Sequence, residues 1–175
     1  MASLTLQELE SMITVNMGDY KVAQGEKKLI TRDLGSCVGI AIRDPKTDVG
    51  GLIHIMLPEY VSYEQDDAVH SNVTTAKYAD IGLDEMVDIL VENGAKRDRL
   101  VAKIAGGAHM IANPVISESR DISSKNVAAV KKKLGELHIP LLAEEVGEHY
   151  PRTVVFDTSS GVLRIITSGR EDRML

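Results

Sequence analysis

Cys37, the one cysteine of the chain, is the residue best placed to act as a nucleophile. It follows Gly35 and Ser36 and precedes the apolar residues 38–42, so we expect it at the mouth of a strand, directly after a glycine turn. Backbone N–H groups of Gly35, Ser36 and Cys37 can point from such a turn at a substrate oxygen, as an oxyanion hole requires. Because a lone cysteine is more often an inert buried residue, the thiol needs a base nearby to support catalysis.

His54 can be that base, because it stands among aliphatic residues in the next predicted strand. If residues 37–43 and 48–54 form an antiparallel hairpin around a turn at 45–46, Cys37 lies directly opposite His54, with Cβ atoms about 5 Å apart. A register shift of two residues keeps both side chains on one face, whereas a shift of one separates them. On a shared face, the imidazole lowers the pKa of the thiol and accepts its proton.

A third group should hold the imidazole in the tautomer that a base needs. Thr31, Asp33 and Asp44 all lie close enough in the chain, and the residues alone do not choose between them. The alternative to a catalytic pair is that Cys37 and His54 are ordinary packed core residues.

Other kinds of functional site find little support in the sequence. The five histidines are scattered without the spacing of a zinc site, and no glycine-rich phosphate loop is present. The pair Gly106 and Gly107 is by itself weak evidence for a ligand site. We therefore predict no metal and no organic cofactor.

The composition indicates a cytoplasmic globular protein. Of the 175 residues, 43% are hydrophobic and 26% are charged, which is ordinary globular usage. A net charge of −6, with five Tyr and one Phe as the only aromatic residues, argues against nucleic-acid binding. No apolar stretch approaches the roughly 20 residues of a membrane span, and the first residues lack the pattern of a signal peptide. A single cysteine fits a reducing compartment.

Hydrophobic periodicity predicts strands that alternate with helices along the chain. Strands are expected at residues 20–23, 28–31, 37–42, 51–57, 100–105, 139–146, 153–156 and 162–167, and helices at 5–13, 73–93 and around 127–137. Ser123 or Ser124 is expected to cap the last helix, and residues 59–72 to form a long surface loop. This pattern predicts a single α/β or α+β domain with a mixed or antiparallel sheet and two main helices.

One face of the predicted 73–93 helix is acidic. It carries Asp80, Asp84, Asp88 and Glu92 at four-residue spacing. A solvated helix face is the ordinary interpretation of such a stripe, and a docking surface for a basic partner is the alternative.

Several segments together match one known family. They are Leu29, Ile30, Thr31 with Leu34, Gly35, Ser36, Cys37, Val38; Gly51, His54, Met56, Leu57, Pro58; Lys77, Tyr78, Asp80; Ala102, Lys103, Gly106, Gly107, Ala108, Met110; Asn126, Val127, Ile139, Pro140, Leu141, Glu144; and Val155, Phe156, Asp157, Thr158, Gly161. With these residues the chain resembles the CheD family of chemotaxis proteins from about Tyr20 onward. That leaves residues 1–18 as a helical extension of a domain at 19–175.

The resemblance implies an α/β sandwich similar to the cysteine-dependent toxin deamidases, and a catalytic triad of Cys37, His54 and Thr31. It thus selects Thr31 where the residues alone left three candidates. CheD proteins are chemoreceptor glutamine deamidases, so the implied substrate is a glutamine on the cytoplasmic helices of a methyl-accepting chemotaxis receptor. Hydrolysis of a glutamyl methyl ester is chemically adjacent to that reaction.

A second role is also implied, because CheD proteins bind and modulate the CheC phosphatase. A protein that mainly regulates CheC, with little catalysis, is therefore the alternative function. Residues 147–152 and 122–126 depart from the usual family pattern. Neither segment contains a triad residue, so the departures concern loop shape and the preference for a substrate or partner.

Overall fold

The computed structural model describes residues 4–61, 74–110 and 121–175. Its elements in chain order are α1 (Leu6–Ser11), β1 (Ile13–Thr14), β2 (Tyr20–Gln24), β3 (Lys28–Leu34), β4 (Val38–Asp44), β5 (Val49–Ile55), α2 (Ala79–Glu92), β6 (Val101–Gly106), α3 (Ile122–Glu136), β7 (Leu141–Val146), β8 (Arg152–Asp157), β9 (Leu163–Ile166) and β10 (Arg173–Met174). Short 3-10 turns at Thr75–Lys77 and Arg97–Arg99 precede α2 and β6. The predicted α+β fold with two main helices is confirmed.

The strands form two five-stranded sheets that pack face to face. The first sheet has the order β1-β3-β8-β9-β10, and the second has the order β2-β5-β4-β6-β7. Both are mixed, because β1 runs parallel to β3 and β6 runs parallel to β7, while the other neighbours are antiparallel. Apolar side chains such as Leu29, Leu52 and Phe156 fill the space between the sheets. Helices α2 and α3 cover the outer face of the second sheet, where Leu83 and Val130 are buried.

Strands β4 and β5 are buried along their whole length, because they lie at the centre of the second sheet with a layer on each side. Their side chains alternate between the layers: Ile40 and Ile53 face the helices, whereas Ala41 and Leu52 face the first sheet. Cover on both faces explains why these segments are continuous apolar runs in the sequence. His54 interrupts the run, and a polar side chain buried there needs a partner.

The first predicted helix is shorter than expected. Thr5 caps α1 through a capping box with Glu8, but the helix ends at Ser11. Ile13, predicted as its last residue, instead pairs with Leu29 as part of β1 and packs against the apolar cluster between the sheets. Strand pairing with β3 therefore overrides the helical spacing of the sequence.

The other two helices also differ at their starts. Helix α2 begins at Ala79 rather than Val73, because Tyr78 forms a parallel bridge with Leu57 and its backbone is extended. The cap of α3 is Asp121, whose carboxylate accepts the Ser124 N–H, so the prediction of a serine cap was wrong. The Ser123 hydroxyl is engaged elsewhere, since it donates to Ala108 O at 2.7 Å.

Parts of the predicted loop and of the acidic stripe can also be compared with the structure. Residues 62–72 of the predicted surface loop lie outside the described residues. Within the acidic stripe, Asp84 pairs with Lys133 at 2.6 Å and Asp88 pairs with Arg97. Part of the stripe is thus neutralised by the chain itself. None of the described helices has the length and apolarity needed to cross a membrane.

Arg152 connects the two sheets through a buried ion pair and hydrogen bonds, at the end of the sandwich where β4 begins. It is only 1% exposed, and its guanidinium donates to Glu145 Oε1 at 3.1 Å and to Gly147 O at 2.9 Å. Arg152 belongs to β8 of the first sheet and Glu145 to β7 of the second. Removing one partner of a buried ion pair costs about 3–5 kcal/mol, so this pair strongly constrains how the sheets meet.

Candidate active site

The hairpin of β4 and β5 brings Cys37 and His54 to the same face, as predicted, but in a different register. Gly39, not Cys37, lies directly opposite His54. The connection has four residues, 45–48, instead of the two that were predicted, and this moves the pairing by two positions. A shift of two preserves the face, so Cys37 and His54 are diagonal neighbours on the side of the first sheet. Cys37 packs there against the apolar cluster between the sheets.

His54 is held by a residue of the opposite sheet. Its Nδ1 lies 2.7 Å from Thr31 Oγ1, and the two side chains are 1% and 0% exposed. Gly39 lies directly opposite His54, and a Cβ at that position would come within 3.0 Å of the Leu34 side chain. The other ring nitrogen, Nε2, is buried and has no hydrogen-bond partner among the described residues. Nδ1 is therefore held by a hydrogen bond, whereas Nε2 is available to accept or donate a proton.

Burial keeps both candidate catalytic groups uncharged. It lowers the pKa of His54 to about 4, an effect that the negative charge of Asp33 opposes. Burial also raises the pKa of the Cys37 thiol, which the nearby N–H of Cys37 itself opposes. The expectation that the imidazole lowers the pKa of the thiol is therefore wrong for the free protein. At neutral pH the site holds a neutral thiol and a neutral imidazole.

The three candidates for the group that orients His54 lie at different distances from its ring in the structure. Thr31 contacts the imidazole directly, whereas Asp33 acts on it only through charge. Asp44 lies at the far end of β4, where it accepts hydrogen bonds from Arg99 Nε and from the Lys96 N–H. The Arg99 guanidinium holds the pKa of the Asp44 carboxyl well below its usual range. Asp44 thus serves the structure at a distance from the thiol.

The turn before Cys37 leaves some backbone donors unused. The Gly35 N–H donates to Asp33 O at 2.9 Å, so it is engaged within the turn. Within the described part of the chain, the Ser36 and Cys37 N–H groups have no hydrogen-bond partner. These two groups remain as candidate oxyanion donors.

The backbone around Cys37 is fixed by the segment that follows β6. Gly107 N–H donates to Cys37 O, and Ala108 N–H donates to Gly35 O, both at 2.7 Å. Gly106 has a φ of +115°, and a methyl group there would overlap the Cys37 carbonyl oxygen. Gly106, which together with Gly107 was only weak evidence for a ligand site in the sequence, therefore lets β6 approach the candidate nucleophile closely.

Sequence reasoning did not assign roles to two further buried polar residues near the site. Asn126 of α3 donates to Ser36 O and Met56 O, and Arg152 joins the sheets at this end. Asn126 had a readable signal, because it precedes Val130 by four residues and so places a polar side chain on the apolar face of the helix.

Two of the scattered histidines lie together near this end of the molecule. His109 Nδ1 is 2.6 Å from Asp121 Oδ2, and its ring centroid is 5.9 Å from that of His149. Among the described residues, no group of three His, Cys, Asp or Glu side chains has the arrangement of a metal site.

The comparisons with known proteins point to one family. The family model described as CheD chemotactic sensory transduction matches residues 56–167. A probable chemoreceptor glutamine deamidase CheD from Lachnoclostridium phytofermentans is 40% identical over 164 residues, which are 94% of this chain and 98% of that protein. Proteins of the same description from Moorella thermoacetica and Clostridium tetani are each 43% identical, over 90% and 89% of this chain.

The chain belongs to the CheD family. The resemblance seen in the sequence is thereby confirmed, and so is the sandwich fold that it implied. The family model begins at Met56, after the three predicted triad residues. The full-length CheD relatives extend the match, because coverage of 94% of the chain takes in the strands that carry Thr31, Cys37 and His54.

Proposed function

We propose that this protein hydrolyses the side-chain amide of selected glutamines on the cytoplasmic helices of a chemoreceptor, with Cys37 as nucleophile, His54 as acid and base, and Thr31 as the residue that orients His54. One observation carries the proposal: a buried imidazole is fixed at Nδ1 by Thr31, while its Nε2 stays unpaired on the face that Cys37 shares. The names of the CheD relatives, which are described as chemoreceptor glutamine deamidases, supply the substrate class.

A neutral pair fits a mechanism in which proton transfer and attack occur together. The Cys37 Sγ attacks the glutamine Cδ while its proton passes to His54 Nε2, and the carbonyl oxygen becomes an oxyanion. For this step Nδ1 must carry a proton and donate it to Thr31 Oγ1, which leaves the Nε2 lone pair free. The N–H groups of Ser36 and Cys37 are the candidate donors to the oxyanion.

The remaining steps return the site to its starting state. His54 gives its proton to the amide nitrogen, the C–N bond breaks, and ammonia leaves a thioester on Cys37. Water then attacks the thioester while His54 accepts a proton, and collapse releases glutamate and regenerates the thiol. The same sequence with methanol as leaving group hydrolyses a glutamyl methyl ester. None of these steps uses a metal or an organic cofactor.

Mass spectrometry of a chemoreceptor cytoplasmic fragment tests the reaction directly. Incubation with the wild-type protein should raise the mass at a defined glutamine by about 1 Da and release ammonia, because an amide becomes an acid. Cys37→Ala is the matched control and should do neither, since it lacks the nucleophile while its small side chain fits the same space. Identical products from both proteins would exclude a cysteine mechanism. A folded wild-type protein that modifies none of several receptors would exclude the proposed activity.

The CheC phosphatase is a second proposed partner, and we place its binding surface beside the entrance to Cys37. Met110 is 50% exposed and lies against Gly35, beside the turn that leads to Cys37. A partner that covers this rim therefore competes with the receptor for access to the thiol. In a pull-down, Cys37→Ala should retain CheC as well as the wild type does, whereas excess CheC should slow deamidation. Retention that depends on the thiol would contradict a surface interaction.

A further inference from the structure

Asn126 is a fully buried polar side chain that contacts the backbone on both sides of the active site. Its Nδ2 donates to Ser36 O and to Met56 O, each at 2.9 Å. Ser36 directly precedes the nucleophile, and Met56 follows the catalytic histidine by two residues. Its Oδ1 has no partner among the described residues. One amide group of α3 thus holds the ends of both strands that carry the candidate catalytic pair.

The contact with Ser36 fixes the direction of the next N–H. The peptide unit between Ser36 and Cys37 is planar, and in a trans peptide the C=O and N–H bonds point in opposite directions. Cis peptide bonds are absent from the described residues, so this unit is trans. Because the Ser36 carbonyl points at α3, the Cys37 N–H points away from α3, toward the side of the first sheet. That side is where the thiol and His54 lie.

The Cys37 N–H is also free to act there. It has no hydrogen-bond partner within the described part of the chain, and it lies close enough to the sulfur to oppose the rise in the thiol pKa. A donor that faces the sulfur also faces the oxygen of a carbonyl group that the sulfur attacks. It meets the geometric requirement for an oxyanion donor, provided that the peptide cannot rotate.

Asn126 is an unusual residue for the buried face of a helix, because that face is otherwise largely apolar. The side chain lies on the buried face of α3, in line with Val130 and Leu134, and it leaves one buried amide oxygen unpaired. Such an unpaired buried group lowers the stability of the fold. A role at the site accounts for a polar residue in this position.

We propose that Asn126 is a positioning residue that locks the Ser36–Cys37 peptide so that the Cys37 N–H holds the oxyanion formed during acyl transfer. The proposal rests on the cysteine chemistry proposed above, but not on the identity of the substrate. Asn126 touches neither the substrate nor the thiol; it acts through the backbone.

Two reactions of the same thiol separate this role from a merely structural one. With p-nitrophenyl acetate, the Cys37 sulfur bonds to the acetyl carbon, the thiol proton passes to His54, and p-nitrophenolate leaves after an oxyanion intermediate. With iodoacetamide, the sulfur displaces iodide and no oxyanion forms. A misplaced thiol slows both reactions, whereas a misdirected N–H slows only the first.

The test measures both rates for the wild type and for Asn126→Leu, which keeps the branched shape of the side chain and removes the donors. We expect the burst of p-nitrophenolate to slow about 10- to 100-fold, less than the roughly 100- to 1000-fold that follows outright loss of an oxyanion donor. Alkylation by iodoacetamide should stay within about twofold of the wild-type rate. If the leucine variant does not fold, Asn126→Ser, which keeps a shorter donor, is measured in the same way.

Ser123→Ala is the matched control, because it removes another buried hydrogen bond between α3 and the backbone, to Ala108 O. Both of its rates should stay within about twofold of the wild type. Parallel loss of both rates in the Asn126 variants would overturn the proposal, as would no change in either. A wild-type protein without a cysteine-dependent burst would overturn it too. The ester needs no receptor, so failure here and failure to deamidate a receptor are separate results.

Discussion

His54 Nδ1 and Thr31 Oγ1 lie 2.7 Å apart although their strands belong to different sheets. The proposed nucleophile and its proposed base come from one hairpin, whereas the group proposed to orient the base comes from the layer packed against it. The geometry of the candidate site therefore depends on how the sheets are spaced.

Thr31→Val should lower kcat for deamidation by about one to three powers of ten, because the isosteric side chain leaves Nδ1 without a partner. The lost hydrogen bond should also reduce the free energy of unfolding by about 1–3 kcal/mol. Thr31→Ser keeps the hydroxyl and should retain most of the activity. A valine variant as active as the serine variant would show that the hydroxyl does not orient His54.

The alkylation rate of Cys37 should keep rising with pH beyond pH 9, because burial raises the pKa of the thiol above its ordinary value. A thiolate–imidazolium pair would instead give a plateau near neutral pH. The measurement is the rate of iodoacetamide reaction from pH 6 to pH 10, with Cys37→Ala as the blank. A plateau that begins below pH 8 would contradict the neutral pair.

Stability should fall as the pH drops from 7 to 5, since the pKa of His54 is about 4 in the folded protein and ordinarily 6.5. Between these values the unfolded state binds more protons, so acid favours unfolding. We expect a loss of about 2 kcal/mol from this group over that interval. Asp44, whose folded pKa is also lowered, adds its own loss only below about pH 4.

Urea unfolding at pH 7 and pH 5 measures this effect, with His54→Gln as the variant that does not titrate at this position. The free energy of unfolding should change less with pH in the variant than in the wild type. Equal changes in the two proteins would mean that His54 is not buried as an uncharged ring.

Gly106→Ala should abolish activity and destabilise the protein, because the new methyl group overlaps the Cys37 carbonyl oxygen and the φ of +115° is strained for any other residue. Gly135→Ala is a matched control, since a Cβ at that position meets nothing within 4 Å. Thermal unfolding and ester burst rates of both variants check this. An active Gly106→Ala protein would show that the β6 backbone can withdraw from the nucleophile.

The sequence was sufficient to predict which face of the hairpin carries the site, but not its register. Face depends only on whether the register shifts by an even or an odd number of residues, and the shift of two in the structure keeps Cys37 and His54 on one side. Register depends on the loop, and the Asp-Pro turn signal did not reveal that Thr47 and Asp48 also belong to the connection. Asp48 has a φ of +52°, a conformation that no local pattern requires.

Features made by distant contacts were the ones that sequence patterns missed. Strand β1 has two residues, too few for alternation to show, and it forms only because β3 offers an edge. The residues alone left Thr31 as one of three candidates, and only the family resemblance selected it; in the structure its hydroxyl lies against His54. Asn126 lies 90 residues along the chain from Ser36, whose carbonyl group it contacts, so no local spacing could link it to Cys37.

The pairing of β3 with β8 has a further consequence during synthesis of the chain. Thr31 of β3 pairs with Val154 of β8, which is near the other end of the chain. The β4–β5 hairpin, by contrast, joins two strands that are neighbours in the sequence. Hairpins form within about 1–10 μs, while pairings between remote segments form much later. A growing chain therefore brings its thiol and imidazole together early but acquires the frame that orients the base only when β8 has been made. The proposed reaction with amides thus has to wait until translation is nearly complete.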